Sequence, residues 1–422
     1  MNNSPKEILR FVEENDVKFI RLTFCDVFGN LKNIAVMTNE LEQAFSCGIP
    51  FDYVKFDSSS HELLLMPDIS TLSVLPWRPK SGRVVRFFCS LKNPDRTDYS
   101  ADMRTNLTNY INELRLCGYS CEISTRCEFY LFDLDEKSEP TKIPHDKGGY
   151  LDVAPLDKCE NVRREICLSL EEMGLNPKSS CHKHGPGQNE IDFRANEPVN
   201  AADDMMHYKT IVKSIAAQCG LFASFMPMPL EKEHGSALNI SFMIKKNGEN
   251  IFGTAPDSLT TEGKCFISGI LRRIGEITAF LNPTVNSYSR FGVGSAPKKI
   301  NFSANSRSAL VRLSAICGIS PRIEIRSADA ACNPYIAFKL ILAAGIEGIK
   351  NGDTSLYESY SENLPINMET ALELSRSSEF VYANLPEKVT DIFFRNLEKQ
   401  LDIMKNYSDI RSFSDDYYFP YI

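Results

Sequence analysis

Four short stretches constrain this chain most, because each alternates with a period of two between a charged or polar face and an apolar one. In 125–132, Arg126 and Glu128 point one way while Cys127, Phe129 and Leu131 point the other. After the turn Gly185-Pro186-Gly187, the residues Gln188, Glu190 and Asp192 share a face opposite Ile191 and Phe193. In 237–243, Asn239 and Ser241 oppose Leu238, Ile240 and Phe242; in 321–327, Arg322, Glu324 and Arg326 oppose Ile323 and Ile325. Such segments form antiparallel strands with one face on a core and the other wet. A wet face usually carries Thr, Ser and Lys, whereas these carry Arg and Glu. Arg290, Arg307 and Arg312 fall nearby in loop-like stretches. Guanidinium forks match carboxylate and phosphate, so the grouping reads as an anion site. A surface salt-bridge network is the competing reading.

The surroundings predict an α+β chain in two parts. The first hundred residues alternate short signals: a helix over 6–14, strands Val17–Cys25 and Leu31–Met37 about the turn Phe28-Gly29-Asn30, a short helix to Cys47 capped by Asn39, and a strand over 84–91. Asn93-Pro94-Asp95 breaks the pattern and a longer helix starts at Met103, which puts a domain boundary near residue 102, giving units 1–102 and 103–422. Helical spacing then recurs over 161–174, 201–220, 262–281, 333–350 and 386–405.

Composition excludes several classes of function. Net charge is −8 with no basic run, which argues against nucleic acid as a partner. No apolar run reaches the ~20 residues of a membrane helix, and the start lacks a signal-peptide stretch, so a cytoplasmic protein is expected. Thirteen cysteines, without a Cys-x-x-Cys pair, read as reduced and mostly buried. The aromatic tail Tyr417-Tyr418-Phe419-Pro420-Tyr421-Ile422 needs cover, from its own subunit or from a neighbour.

Longer motifs sharpen this. Asn282-Pro283-Thr284-Val285-Asn286-Ser287-Tyr288, Pro186-Gly187-Gln188 with Glu190-Ile191-Asp192-Phe193, residues 305–308 and 322–327, and Asn333-Pro334-Tyr335 occur in order, preceded by Phe56-Asp57-Ser58-Ser59 and Leu75-Pro76-Trp77. In this combination the chain resembles type I glutamine synthetase over nearly its whole length. The resemblance implies a small β-grasp-like domain, then a large domain with an open antiparallel sheet flanked by helices. It also implies a ring homo-oligomer, a dodecamer by preference, with each site between neighbours. The family's chemistry is ATP-dependent: glutamate is phosphorylated, ammonia displaces the phosphate, and Mg²⁺ or Mn²⁺ ions offset the repulsion among anions. On that pattern Asp57, Arg290, Arg307 and Arg326 take catalytic positions, and Asn239, Ser241, Arg312 and Arg322 substrate or nucleotide positions.

The metal ligands depart from the family's pattern. Glu128, Glu190 and Glu324 remain, but Arg126, Lys183 and Ala237 stand where the family has two glutamates and a histidine. The flap Gly292-Val293-Gly294-Ser295-Ala296-Pro297 lacks the family's acid, Lys232-Glu233 replaces a glutamate-binding Asn-Gly, and the loop after Asp57 is short. Anion-binding arginines are thus kept while cation-binding groups are lost. The first reading is a protein without glutamine synthetase activity that binds a nucleotide, phosphate or carboxylate, with metal binding absent or weak, alone or in a ring with an active paralogue. The second is an active ATP-dependent carboxylate–amine ligase with a reduced metal requirement. A third makes Lys183 a nucleophile or base. A fourth, a metal site at Cys181, His182 and His184 outside the pocket, ranks below a pair of partly exposed histidines. Arg126 and Lys183 are expected within hydrogen-bond reach of the three glutamates.

Overall fold

The computed structural model describes residues 4–53, 62–77, 81–255, 259–316, 319–359 and 361–422. Two sheets organise them. The N-terminal sheet runs Leu31–Met37, Val17–Cys25, Arg83–Lys92, Glu62–Pro67, Ile49–Asp52 in spatial order. Val17–Cys25 pairs with Arg83–Lys92 in parallel and its other long pairings are antiparallel, giving a β-grasp domain. At the first hairpin turn the Asp26 carboxylate accepts the backbone N–H groups of Phe28 and Asn30 at 3.0 and 2.9 Å. Asn39 does not cap the helix Leu41–Cys47. A 3₁₀ turn over Thr38–Glu40 leads in instead, and its own backbone bond from Leu41 to Thr38 takes over one of the free donors.

The larger sheet runs Phe302–Ser303, Val311–Ile316, Ile319–Ile325, Leu238–Lys246, Tyr119–Leu134, Gln188–Phe193, Pro177–His182. Its neighbours are antiparallel except the short first pair. The period-two alternation is realised literally. Cys127, Phe129, Leu131, Ile191, Ile240, Phe242, Ile323 and Ile325 are all fully buried on the apolar face. Helices Met103–Leu116, Pro198–Gln218, Thr261–Leu281 and Pro334–Asn351 contribute most of their apolar residues to the same core. The last two cross closely, because a Cβ at Gly269 would come within 2.2 Å of the Ala344 carbonyl oxygen.

The two sheets are tied at their seam. Asn333 caps the helix Pro334–Asn351 and donates its amide to the carbonyls of Asp26 and Val27 at 3.1 and 3.2 Å. Arg104 reaches Asp203 and Asp68, both at 2.9 Å. Tyr418 and Phe419 of the aromatic tail fold onto their own subunit, with Phe419 packed against Phe132 and Phe222, while Tyr421 stays 76% exposed. Among the described residues no helix is long and apolar enough to cross a membrane.

Candidate functional site

Register brings the polar faces together. Glu190 lies opposite Glu128, Asp192 opposite Arg126, Arg126 opposite Asn239, and Ser241 opposite Glu324. Two buried carboxylates directly across a strand pair repel. The Lys183 ammonium answers that repulsion, 3.2 Å from Glu128 Oε1 and 3.1 Å from Glu190 Oε2. Glu128 Oε2 also accepts the Ala237 backbone N–H at 2.8 Å. Burial and the Glu128 charge push the Glu190 carboxyl up, against Lys183 and Arg126. Burial would lower the Lys183 ammonium, but the two carboxylates outweigh it and hold its pKa above the usual lysine range. The two ion pairs favour a charged Lys183, which argues against its reading as nucleophile or base.

A second cluster joins Arg126, on the same strand as Glu128, to residues on the strand two places away. Arg126 Nη2 donates to Glu324 Oε2 at 2.5 Å and Arg326 Nη1 to Glu324 Oε1 at 2.8 Å. Burial alone would raise the Glu324 carboxyl; the two guanidinium groups keep it below the usual range. Arg290, 1% exposed, donates to the backbone carbonyls of Ser327 and Ala328. Arg312 is half-buried and Arg307 exposed, and neither has a carboxylate partner among the described residues.

These groups wall a cavity of about 330 Å³. Arg126, Glu128, Lys183, Glu190, Ala237, Asn239, Arg290, Arg307, Arg312 and Arg326 all line it. Arg322 and Ser241 do not, although they belong to the same strands; Arg322 lies further along its strand, opposite Ser314. Glu324 sits just behind the wall, held by its two arginines. Asp57 lies outside the described residues.

The cavity has a wall that sequence reading missed. Tyr150, His184 and His234 stack, with ring centroids 4.4 and 4.5 Å apart. The flap closes on this stack: a Cβ at Gly294 would come within 2.3 Å of the His234 ring, and Arg326 reaches the Ser295 carbonyl and hydroxyl at 3.4 Å. The reading of Cys181, His182 and His184 also needs correction. His184 lines the cavity, and His182 is fully buried on the other side, bonded to Asp146 at 2.9 Å and to the Lys183 carbonyl at 2.8 Å. Stacking partners distant in sequence leave no local signal, so only the closed structure reveals them.

Comparison with known proteins agrees with this architecture. Residues 16–94 match the family model described as glutamine synthetase, β-Grasp domain, and residues 100–411 match that described as glutamine synthetase, catalytic domain. A glutamine synthetase of Methanosarcina mazei is 38% identical over 95% of this chain and 95% of its own length. One of Clostridium saccharobutylicum is 36% identical over 92% of each. Among solved structures, a Plasmodium falciparum glutamine synthetase superposes with a TM-score of 0.87 at 20% identity, covering 99% of both chains. A GmaS/ADP complex superposes at 0.85 and 24%, covering 95% of this chain and 97% of that one. At those identities the two structures speak for the fold alone.

Proposed function

The chain belongs to the glutamine synthetase family, and from that premise we propose that it binds a small anion without joining glutamate to ammonia. The observation that carries this is the Lys183 ammonium between Glu128 and Glu190. Mg²⁺ and Mn²⁺ need free oxygen ligands, chiefly carboxylates. Glu128 and Glu190 are engaged by Lys183, Glu324 by Arg126 and Arg326, and Ala237 offers only a methyl group. This donor set does not fit the family's divalent ions. The acid-free flap supports the same reading.

The arginine-lined pocket is suited to a nucleotide, phosphate or carboxylate, with ATP one candidate. Arg290, Arg307 and Arg326 then hold the anion rather than activate it, helped by Asn239 and Arg312. Asp57, Arg322 and Ser241 keep family positions without an assigned contact. We place the two units at 1–102 and 103–422. The family's ring, a dodecamer by preference, with itself or with an active paralogue, and a cytoplasmic setting complete the proposal.

An active ATP-dependent carboxylate–amine ligase is the second reading. It is favoured by 36–38% identity to enzymes of that name and by the retained arginines. Phosphate release from ATP with glutamate, ammonium and Mg²⁺ or Mn²⁺ separates the two. No turnover above background is expected; a rate of ~1 s⁻¹ or more would establish the ligase.

A further inference from the structure

Resting on that reading, we propose that Lys183 and Arg126 are built-in cations, so that the pocket takes a phosphate-bearing polyanion without metal and Mg²⁺ weakens its binding. Six fixed cations surround the cavity: Arg126, Lys183, Arg290, Arg307, Arg312 and Arg326. Among the described residues Glu128, Glu190 and Glu324 pair with them directly, and Asp192 and Asp329 act on Arg126 and Arg290 from further off. The excess is therefore positive even with no ion bound.

The hydrogen-bond inventory points the same way. The Nε–H groups of Arg290, Arg312 and Arg326 are buried and have no acceptor. Buried donors without partners are costly, so three of them around one cavity call for an acceptor-rich group. A carboxylate offers two oxygens in one plane. A phosphate or pyrophosphate group spreads three or more over tetrahedral directions and bears the charge that the surplus cations lack.

Mg²⁺ opposes this arrangement from both sides. Among the described residues that line the cavity it meets no carboxylate free of a cation. On the ligand it coordinates the phosphate oxygens that the arginines need and removes two charges. In a site that depends on metal, Mg²⁺ bridges ligand and protein; here it competes.

The test is isothermal titration calorimetry on the full chain with ADP and with inorganic pyrophosphate, each in EDTA and in excess Mg²⁺. Binding in EDTA that falls at least tenfold in Mg²⁺ is expected, and the anion that binds identifies the source, nucleotide or inorganic. The variant Lys183→Met should lose at least tenfold in EDTA. Because it leaves two carboxylates unpaired and can misfold, Arg126→Glu with Lys183→Glu and Ala237→His is the second arm, and it should make binding dependent on Mg²⁺. Binding of the unaltered chain that tightens with Mg²⁺, or no binding of either anion in EDTA, overturns the proposal. Phosphate release measured on the same samples keeps the two readings apart. Mg²⁺-tightened binding without turnover defeats only the fixed cations; turnover defeats the non-catalytic reading.

Discussion

The two faces of the segment ending at Lys183 carry charged clusters of opposite character. On the cavity side, Lys183 joins Glu128 and Glu190 in a wall where cations outnumber acids. On the other side, His182 meets Asp146, and Arg163 meets Asp157 and Asn189. Asp146 accepts His182 Nε2 at 2.9 Å, the N–H groups of Gly187, Gly148 and Lys158, and the Cys159 thiol. His182 Nδ1 faces the Lys183 carbonyl, which can only accept, and Nε2 faces the Asp146 carboxylate, an arrangement that favours the imidazolium. Two cations thus meet two carboxylates with no charge left over. A cluster whose charges balance within itself holds the fold, whereas one with surplus cations is suited to receive an anion.

Removing Asp146 should give the largest effect. Asp146→Ala strands a buried imidazolium and frees three backbone donors, and should cost about 3–5 kcal/mol in urea unfolding. A loss under about 0.5 kcal/mol would place this cluster with ordinary surface pairs and end the contrast. Arg312→Gln should do the reverse. Stability should stay within roughly 0.5 kcal/mol, while pyrophosphate affinity in EDTA falls about tenfold, equivalent to about 1.4 kcal/mol. A variant that unfolds more easily but binds as before would make Arg312 structural.

The smallest effect is one of pH. Burial would lower the His182 ring, but Asp146 and the Lys183 carbonyl outweigh it and raise its pKa above the ordinary 6.5. Its stabilisation is thus complete below pH 6.5 and is lost as pH rises through the higher folded value. Unfolding curves of the protein and of His182→Gln should converge as pH rises above 6.5. A difference that widens with pH would mean that the ring is neutral in the fold.

The cavity face was readable in sequence because period two is a local property. Arg126, Glu128, Glu190 and Glu324 declare their side by their neighbours alone, and pairing register then sets them together. His182 was misread by that same logic. Alternation gave its face correctly, but its burial comes from the loop holding Asp146, Asp157 and Cys159, which carries no periodic signal. Tyr150, His184 and His234 approach only when three separate segments close. The Asn39 cap failed because a 3₁₀ turn, which needs no side chain, met the same need.

The strand Tyr119–Leu134 pairs with four others, among them Leu238–Lys246, which leaves the ribosome over a hundred residues later. At roughly 5–20 residues per second, that edge waits on the order of ten seconds for its partner during synthesis. The N-terminal sheet is complete by Lys92 and has no such delay. Nascent chains stalled between these two strands therefore present an unpaired apolar edge beside a finished small domain, and at that length the protein most needs a chaperone.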